Sequence, residues 1–378
     1  MKIAYVTTYD SSNVHAWSGT GSYILQTLRD SGFNTETVGN LYEPTSYVIK
    51  GKSLLYRTLH KNYLPDREPI ILRSYATQVG KALVQLEHDS VFSPGTIPIA
   101  YLRNEKPVAF WTDCTFAGMI DFFPHFSNLC AESIKNGNKM EQRALSRCHL
   151  AIYSSEWAAE SAVRNYDVDP AKVHVVPFGA NVHSDRSMRD IEEFLEKKST
   201  DICRLLFLGV DWHRKGGDVA LAVAELLNQR GIRTELEIVG CDPPRGLPAF
   251  AKCHGFISKK TEEGRNRLSE LMAGSHFLIL PSRAECYGIV FAEASSFGLP
   301  SLATRVGGIP TAIHDGENGQ TFPIDEGPVK YCDYIETVLS SQQGYRALAR
   351  SSFNEYSTRL NWSSAGKRVR DLILEFCA

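Results

Sequence analysis

The chain has 378 residues, and its 41 Lys and Arg against 43 Asp and Glu give a formal net charge of −2, with 43% hydrophobic and 22% charged residues. That is enough chain for two domains of ordinary globular composition, and the near-neutral balance argues against polyanion binding as the main job. Nine cysteines, an odd number with no C-x-x-C among them, argue against a disulfide framework or a zinc knuckle and suit a reducing, cytoplasmic compartment.

The opening M-K-I-A-Y-V-T-T carries one Lys and a very short apolar run, where a secretory leader needs roughly 7 to 15 apolar residues, so no signal peptide is expected. No stretch nears the roughly 18 apolar residues of a membrane span. Short β-rich runs at 2–8, 108–111, 150–154 and 173–176, and then at 205–209, 235–239, 253–257, 277–280 and 301–304, alternate with helical patterns. Such alternation predicts an α/β protein with doubly wound parallel sheets. Residues 183–201 lose the strand pattern and become charge-rich, the composition of a linker or a solvated helix. The domain boundary is placed there, giving an N-terminal domain over 1–185 and a C-terminal one over 186–360. In 361–378, Val369, Leu372, Ile373 and Phe376 fall at helical spacing, which predicts a closing amphipathic helix that packs back towards the N-terminal domain.

Ligands of open α/β sheets lie at the carboxyl ends of strands, where helix N-termini and glycine turns offer N–H groups to an anion. Three places qualify. The first is W-S-G-T-G-S-Y at 17–23, with Gly19 and Gly21 opening a helix; its plain alternative is a tight turn, and it lacks the G-x-G-x-x-G spacing. The second is F-L-G-V-D-W-H-R-K-G-G-D at 207–218, where Arg214 and Lys215 can neutralise a diphosphate, or else form a solvated basic turn. The third is P-S-R-A-E-C-Y-G-I-V-F-A-E-A at 281–294. There Glu285 sits in the loop after a buried strand, the N–H groups from Tyr287 to Val290 open a helix, and Glu293 lies on it. A carboxylate beside an anion site must be aimed elsewhere, such as at hydroxyls. The two glutamates can straddle a phosphate, one accepting sugar hydroxyls and the other the two ribose hydroxyls, although two surface glutamates at this spacing are commonplace.

With its flanks, through S-S-F-G-L-P-S-L-A-T-R-V-G-G-I-P to Pro310 and then H-D-G-E-N-G at 314–319, the third segment resembles the E-x7-E region of the retaining family 4 glycosyltransferases. Those enzymes have the GT-B fold, two Rossmann-like domains with parallel sheets facing an interdomain cleft. The loop at 18–21 looks like their diphosphate-side glycine loop, V-V-P-F-G-A-N at 175–181 like their V-x-P-x-G-x-N, and 209–216 like their G-x-x-x-x-x-K-G. The resemblance implies that Glu285 contacts the donor sugar, Glu293 the ribose and Lys215 the diphosphate. Amides of Tyr287, Gly288 and Ile289 would cap the diphosphate, with Cys286 and Val290 beside them, and Ile257 would lie along the base. Two departures stand out: Val210 occupies the place of the family's usual Arg, for which Arg214 is the candidate substitute, and Thr112 replaces the His of a common His-Asp pair while Asp113 is kept.

The implied reaction moves a sugar from a nucleotide diphosphate sugar to a hydroxyl of a saccharide, lipid or small molecule, with retention and with no metal or other cofactor. No D-x-D lies in a suitable loop, Asp211 and Asp242 being isolated, and positive charge and amides can assist departure of the nucleotide. Asp113 would orient hydroxyls, or else be a helix-capping or turn carboxylate; an inverting enzyme would need a base such as Asp113 or His15. The alternatives are a nucleotide-sugar epimerase or hydrolase of the same fold and a non-catalytic nucleotide-sugar-binding partner subunit. Trp17, Tyr23, Trp111, Phe116, Phe122 and Phe123 give the acceptor side an aromatic character, or else belong to the core. Residues 49–73, with Lys or Arg at 50, 52, 57, 61, 67 and 73 interleaved with leucines and tyrosines, suit an anionic membrane, the plain alternative being an ordinary solvated helix.

Overall fold

A computed structural model describes residues 1–13, 16–182 and 185–377, and the chain divides into two units, Met1–Pro177 with Trp362–Ala378, and Phe178–Asn361. In the first unit, strands β1 (Lys2–Val6), β2 (Asn34–Val38), β3 (Ser90–Ser93), β4 (Val108–Thr112), β5 (Leu150–Tyr153) and β6 (Val173–Val175) pair in parallel in the order β2-β1-β3-β4-β5-β6. Helices α1 (Thr20–Asp30), α2 (Tyr47–Thr58), α3 (Pro69–Val84), α4 (Phe116–Met119), α5 (Ala131–Arg147) and α6 (Glu156–Asn165) connect them. Every residue of β3, β4 and β5 is buried, the signature of a parallel sheet covered on both faces, which is why β4 and β5 read as apolar runs, while β3 has only Val91 and Phe92 between two serines.

The second unit repeats the plan. Strands β7 (Cys203–Leu208), β8 (Thr234–Val239), β9 (Ala251–Cys253), β10 (Phe277–Leu280), β11 (Ser301–Thr304) and β12 (Gly319–Phe322) are parallel in the order β12-β11-β10-β7-β8-β9. The connecting helices are α7 (Met188–Lys197), α8 (Gly217–Gln229), α9 (Glu262–Gly274), α10 (Ile289–Ser295), α11 (Ile309–Ala312), α12 (Pro328–Leu339) and α13 (Gln342–Thr358). The direction of winding reverses between β7 and β10, and such a switch point is where open α/β sheets bind ligands, beyond the carboxyl ends of the strands. Both motifs expected to hold the donor leave from those two strands.

Several elements differ from the sequence expectation. Strands β2, β3 and β12 were not anticipated. The 253–257 run is a strand only to Cys253, because Gly255 turns the chain with φ +64. Of the linker and the helix expected over 183–201, the described residues form the helix: α7 opens on a capping box between Ser187 and Asp190, and it buries Ile191 and Leu195 rather than being wholly solvated. Nor does the chain divide at 185. Up to Val176 it belongs with the first sheet, through Val176 N–H to the Tyr153 carbonyl (2.9 Å) and Trp111 Nε1 to the Val176 carbonyl (3.0 Å). From Phe178 it belongs with the second unit, where the Phe178 carbonyl accepts from the Tyr287 hydroxyl (2.8 Å) and Ala180 N–H donates to the Leu360 carbonyl (3.0 Å).

The closing helix α14 (Trp362–Phe376) is part of the first unit. It lies against α1, with Gly366 so close that a Cβ there would stand 2.7 Å from Ser31 Oγ. Trp362 stacks on Tyr23 at 5.8 Å and meets Trp111 edge-on at 5.5 Å, so Tyr23 and Trp111 serve packing. Among the described residues, no helix is long and apolar enough to cross a membrane.

Candidate functional site

The loop after β7 is shaped by three glycines. A Cβ on Gly209 would stand 2.9 Å from Lys215 Cγ, so glycine there lets the lysine stem cross. Gly216 takes φ +76, and a Cβ would lie 2.0 Å from the Pro281 carbonyl of the neighbouring β10 loop; only glycine fits both demands. Gly217 begins α8 beneath the Trp212 ring, 2.3 Å from where its Cβ would be. Lys215 and Glu285, side chains 11% and 14% exposed, are thereby held in an ion pair.

Around that pair the two loops are tied together. Arg214 donates its Nη1 to the Ala284 carbonyl at 3.0 Å and stands 3.9 Å from a Glu285 oxygen, so it reaches the Glu285 loop. Val210 is 69% exposed. Arg283 forms a two-pronged pair with Asp218 at 2.8 and 2.7 Å, and its hydrogen bonds lower the Asp218 carboxyl below its ordinary range. Arg283 N–H donates to the Arg214 carbonyl at 2.7 Å, and Thr304 donates to the Ser282 carbonyl. Neither Arg283 nor Asp218 was foreseen as a site residue; an Arg two positions before Glu285 was the only signal.

Glu285, Cys286, Tyr287 and Gly288 run into α10. Gly288 has φ +83, and a Cβ would lie 2.4 Å from the Phe291 ring and 3.3 Å from Glu285 Cγ. Tyr287 is anchored by its hydroxyl on the Phe178 carbonyl, while Cys286 and Val290 are buried and Ile289 is half-buried. Glu293, 1% exposed, lies on α10, and its Oε1 accepts from Lys259 Nζ at 2.5 Å. Lys259 was not anticipated. It belongs to the 254–261 loop with half-buried Ile257, a loop pinned by Arg265 on the Lys259 and Lys260 carbonyls. The structure thus gathers Lys215, Arg214, Glu285 and the start of α10 at the switch point, and neutralises each site glutamate with a lysine.

The first unit holds the remaining expected residues. Trp17, Ser18 and Gly19 all take left-handed backbone, φ 51, 55 and 84, which costs non-glycine residues and persists where surroundings over-determine it. What holds Trp17 is Asp113: its Nε1 donates to the carboxylate at 3.1 Å. Gly21 accepts from the Tyr5 hydroxyl at 2.6 Å, and a Cβ there would stand 2.3 Å from the Tyr9 hydroxyl. The helix that follows Asp113, α4, is capped by Thr115, whose side chain accepts from Gly118 N–H. His15 lies outside the described residues.

Residues 203–341 match the family model Glycosyl transferases group 1. The D-inositol 3-phosphate glycosyltransferase of Corynebacterium diphtheriae is 25% identical over 255 residues, covering 61% of this chain and 57% of that one. The lipopolysaccharide glucosyltransferase WaaG of Escherichia coli is 28% identical over 215 residues, 55% of this chain and 54% of that one. The matched part thus spans little more than half the length of these relatives. The sucrose-phosphate synthase structure from Thermosynechococcus elongatus is similar in fold over 99% of this chain and 98% of that one, with a TM-score of 0.71 at 15% identity. The twin parallel sheets are those of the GT-B glycosyltransferases.

Proposed function

We propose, from the match of residues 203–341 to the family model Glycosyl transferases group 1, that the protein is a retaining glycosyltransferase moving a sugar from a nucleotide diphosphate sugar to a hydroxyl acceptor. The observation that carries the reading is the pairing of Lys215 with Glu285 at the switch point of the second sheet. Donor binding would separate them, the ammonium turning to the diphosphate and the carboxylate to sugar hydroxyls. Lys215, Arg214 and the amides entering α10 meet the negative charge that builds on the departing diphosphate, so no resident metal is required. Glu293 takes the ribose hydroxyls in place of the Lys259 ammonium, and Ile257 lies beside the base. On a retaining front-face course the leaving phosphate oxygen takes the acceptor proton, and Asp113, fixed by Trp17, orients hydroxyls.

Thermal unfolding with UDP, GDP, ADP and their sugar conjugates, with and without EDTA, tests this reading. A ligand that binds only the folded protein raises its stability as concentration exceeds the dissociation constant. One nucleotide family should raise the melting temperature in EDTA; no shift with any of them would overturn the assignment.

A cytoplasmic location, supported by an odd number of cysteines with no C-x-x-C among them, goes with peripheral contact at the inner membrane face through residues 49–73. Of the six cations there, Lys52 is occupied by Glu68 and Glu132, and buried Arg67 by Asp66. Lys50, Arg57, Lys61 and Arg73 remain exposed. On α2, Ile49 faces inward while Tyr47, Val48, Leu54 and Leu55 are exposed, Tyr47 to 87%. A helix that turns its apolar residues outward with cations beside them suits an anionic bilayer surface better than water.

A further inference from the structure

Unit 1 contains a pocket of about 310 Å³ that none of these roles uses. It lies between α4 with the turn after it and α6. Those helices start four and three residues past the ends of β4 and β5, at the carboxyl edge of the sheet that also carries Asp113. Trp157, at the second position of α6, and Phe122 form its aromatic wall, half-buried with ring centroids 5.1 Å apart and tilted by 37°. A Cβ on Gly118 would stand 3.2 Å from Trp157 Cη2, so the indole lies over bare backbone.

The polar lining comes from Asp121, Glu160, Ser161, Arg164 and Asn165. Asp121 is exposed and takes φ +56 in the turn. Glu160 and Arg164 stand 3.5 Å apart and are 66% and 74% exposed, so their weak surface pair can open to a ligand. Asn165 gives its Nδ2 to the Ser161 carbonyl at 2.9 Å.

An aromatic face beside carboxylate, guanidinium and amide groups matches one chemical class. A pyranose ring presents a face of C–H bonds and an edge of hydroxyls that both donate and accept. Two carboxylates against one guanidinium disfavour a phosphate, and a polar lining disfavours an acyl chain. The volume is at the low end of small-molecule pockets, about 300 to 1,000 Å³, and suits a sugar unit rather than a whole nucleotide sugar.

We propose that this pocket is a saccharide subsite for the acceptor, which makes the acceptor a glycan or glycoconjugate with a sugar beyond the one that carries the reacting hydroxyl. The proposal rests on the glycosyltransferase reading for its purpose, but its occupancy can be measured apart from it. Ligand-observed saturation-transfer NMR on the full chain, with methyl glycosides of glucose, galactose, mannose and N-acetylglucosamine and with maltose and cellobiose, reports binding without any turnover. At least one should give signals, reduced about fivefold or more in Trp157→Ala and in Asp121→Ala. Arg164→Ala, an exposed position, serves as the third variant should the indole be needed for folding. Circular dichroism and the ligand-free melting temperature of the same preparations report that the variants are folded. No glycoside signal in the parent protein, or signals unchanged in all the variants, overturns the subsite. Glycoside binding lost in the variants while the parent protein responds to no nucleotide would uphold the subsite and remove the donor reading instead.

Discussion

Lys259 Nζ lies 2.5 Å from a carboxylate oxygen of Glu293, a side chain only 1% exposed. The ammonium, itself 45% exposed, stands where the proposed ribose hydroxyls would donate. Hydrogen bonds to a charged group contribute roughly 1.5–3 kcal/mol. Glu293→Ala should therefore weaken the free nucleoside diphosphate by about ten- to a hundredfold, as read by calorimetric titration. Unchanged affinity would displace the ribose from this position. Lys259→Met should lower the melting temperature, because it leaves a buried carboxylate without its cation, with the loss kept near 1 kcal/mol by solvent around the lysine.

Lys215 and Glu285 separate binding from transfer. Glu285→Ala should leave free nucleotide affinity within about threefold while transfer falls by about a hundredfold, the size of effect seen when one preorganised polar group is removed. Lys215→Ala should lose both nucleotide affinity and transfer. Equal loss of nucleotide affinity in the two variants would contradict the division of roles.

How far these residues were legible in the sequence follows from where their partners lie. The strand β10, F-L-I-L, is buried on both faces, so its apolar run marks its bounds directly. The edge strands carry no such run: β2 is N-T-E-T-V with only Val38 buried, and β9 ends in exposed residues. The Glu285–Glu293 spacing and the Lys215 loop were readable because each lies within one strand-turn-helix unit. Lys259 was not, since its partner is 34 positions away and nothing in a loop lysine names it. Likewise the grip of Trp17 on Asp113 spans 96 positions and exists only once β1 and β4 share a sheet.

Glu141 gives the first unit a pH-dependent stability. It is 2% exposed, accepts from Thr96 Oγ1 at 2.8 Å on one oxygen, and has no partner on the other among the described residues. Burial raises its carboxyl to about 7 from an ordinary 4.5. Between those values the folded protein holds a proton that the unfolded chain has released, so stability is fully present below pH 4.5 and declines as pH rises to about 7. At 1.36 kcal/mol per unit the loss is about 3 kcal/mol. Urea unfolding of Glu141→Gln should match the parent protein near pH 5 and exceed it near pH 8; parallel pH profiles for the two would exclude Glu141 as the source.

The outward face of α2 makes the membrane proposal quantitative. Each Lys or Arg held near an anionic surface contributes about 1 kcal/mol, and a buried Leu side chain roughly 1.5–3 kcal/mol. Co-flotation with vesicles of phosphatidylcholine containing phosphatidylglycerol should retain the protein at low salt and release part of it as salt screens the cations. Leu54→Glu with Leu55→Glu should abolish retention, and Lys50→Glu with Arg57→Glu should weaken it by about a hundredfold or more. Pure phosphatidylcholine should hold it poorly, since the four exposed cations then meet no net negative surface. Were the parent protein to ignore anionic vesicles, yet lose a concentration-dependent dimer in the leucine variant, the face would be covered by a second copy of the chain and the bilayer reading would fall.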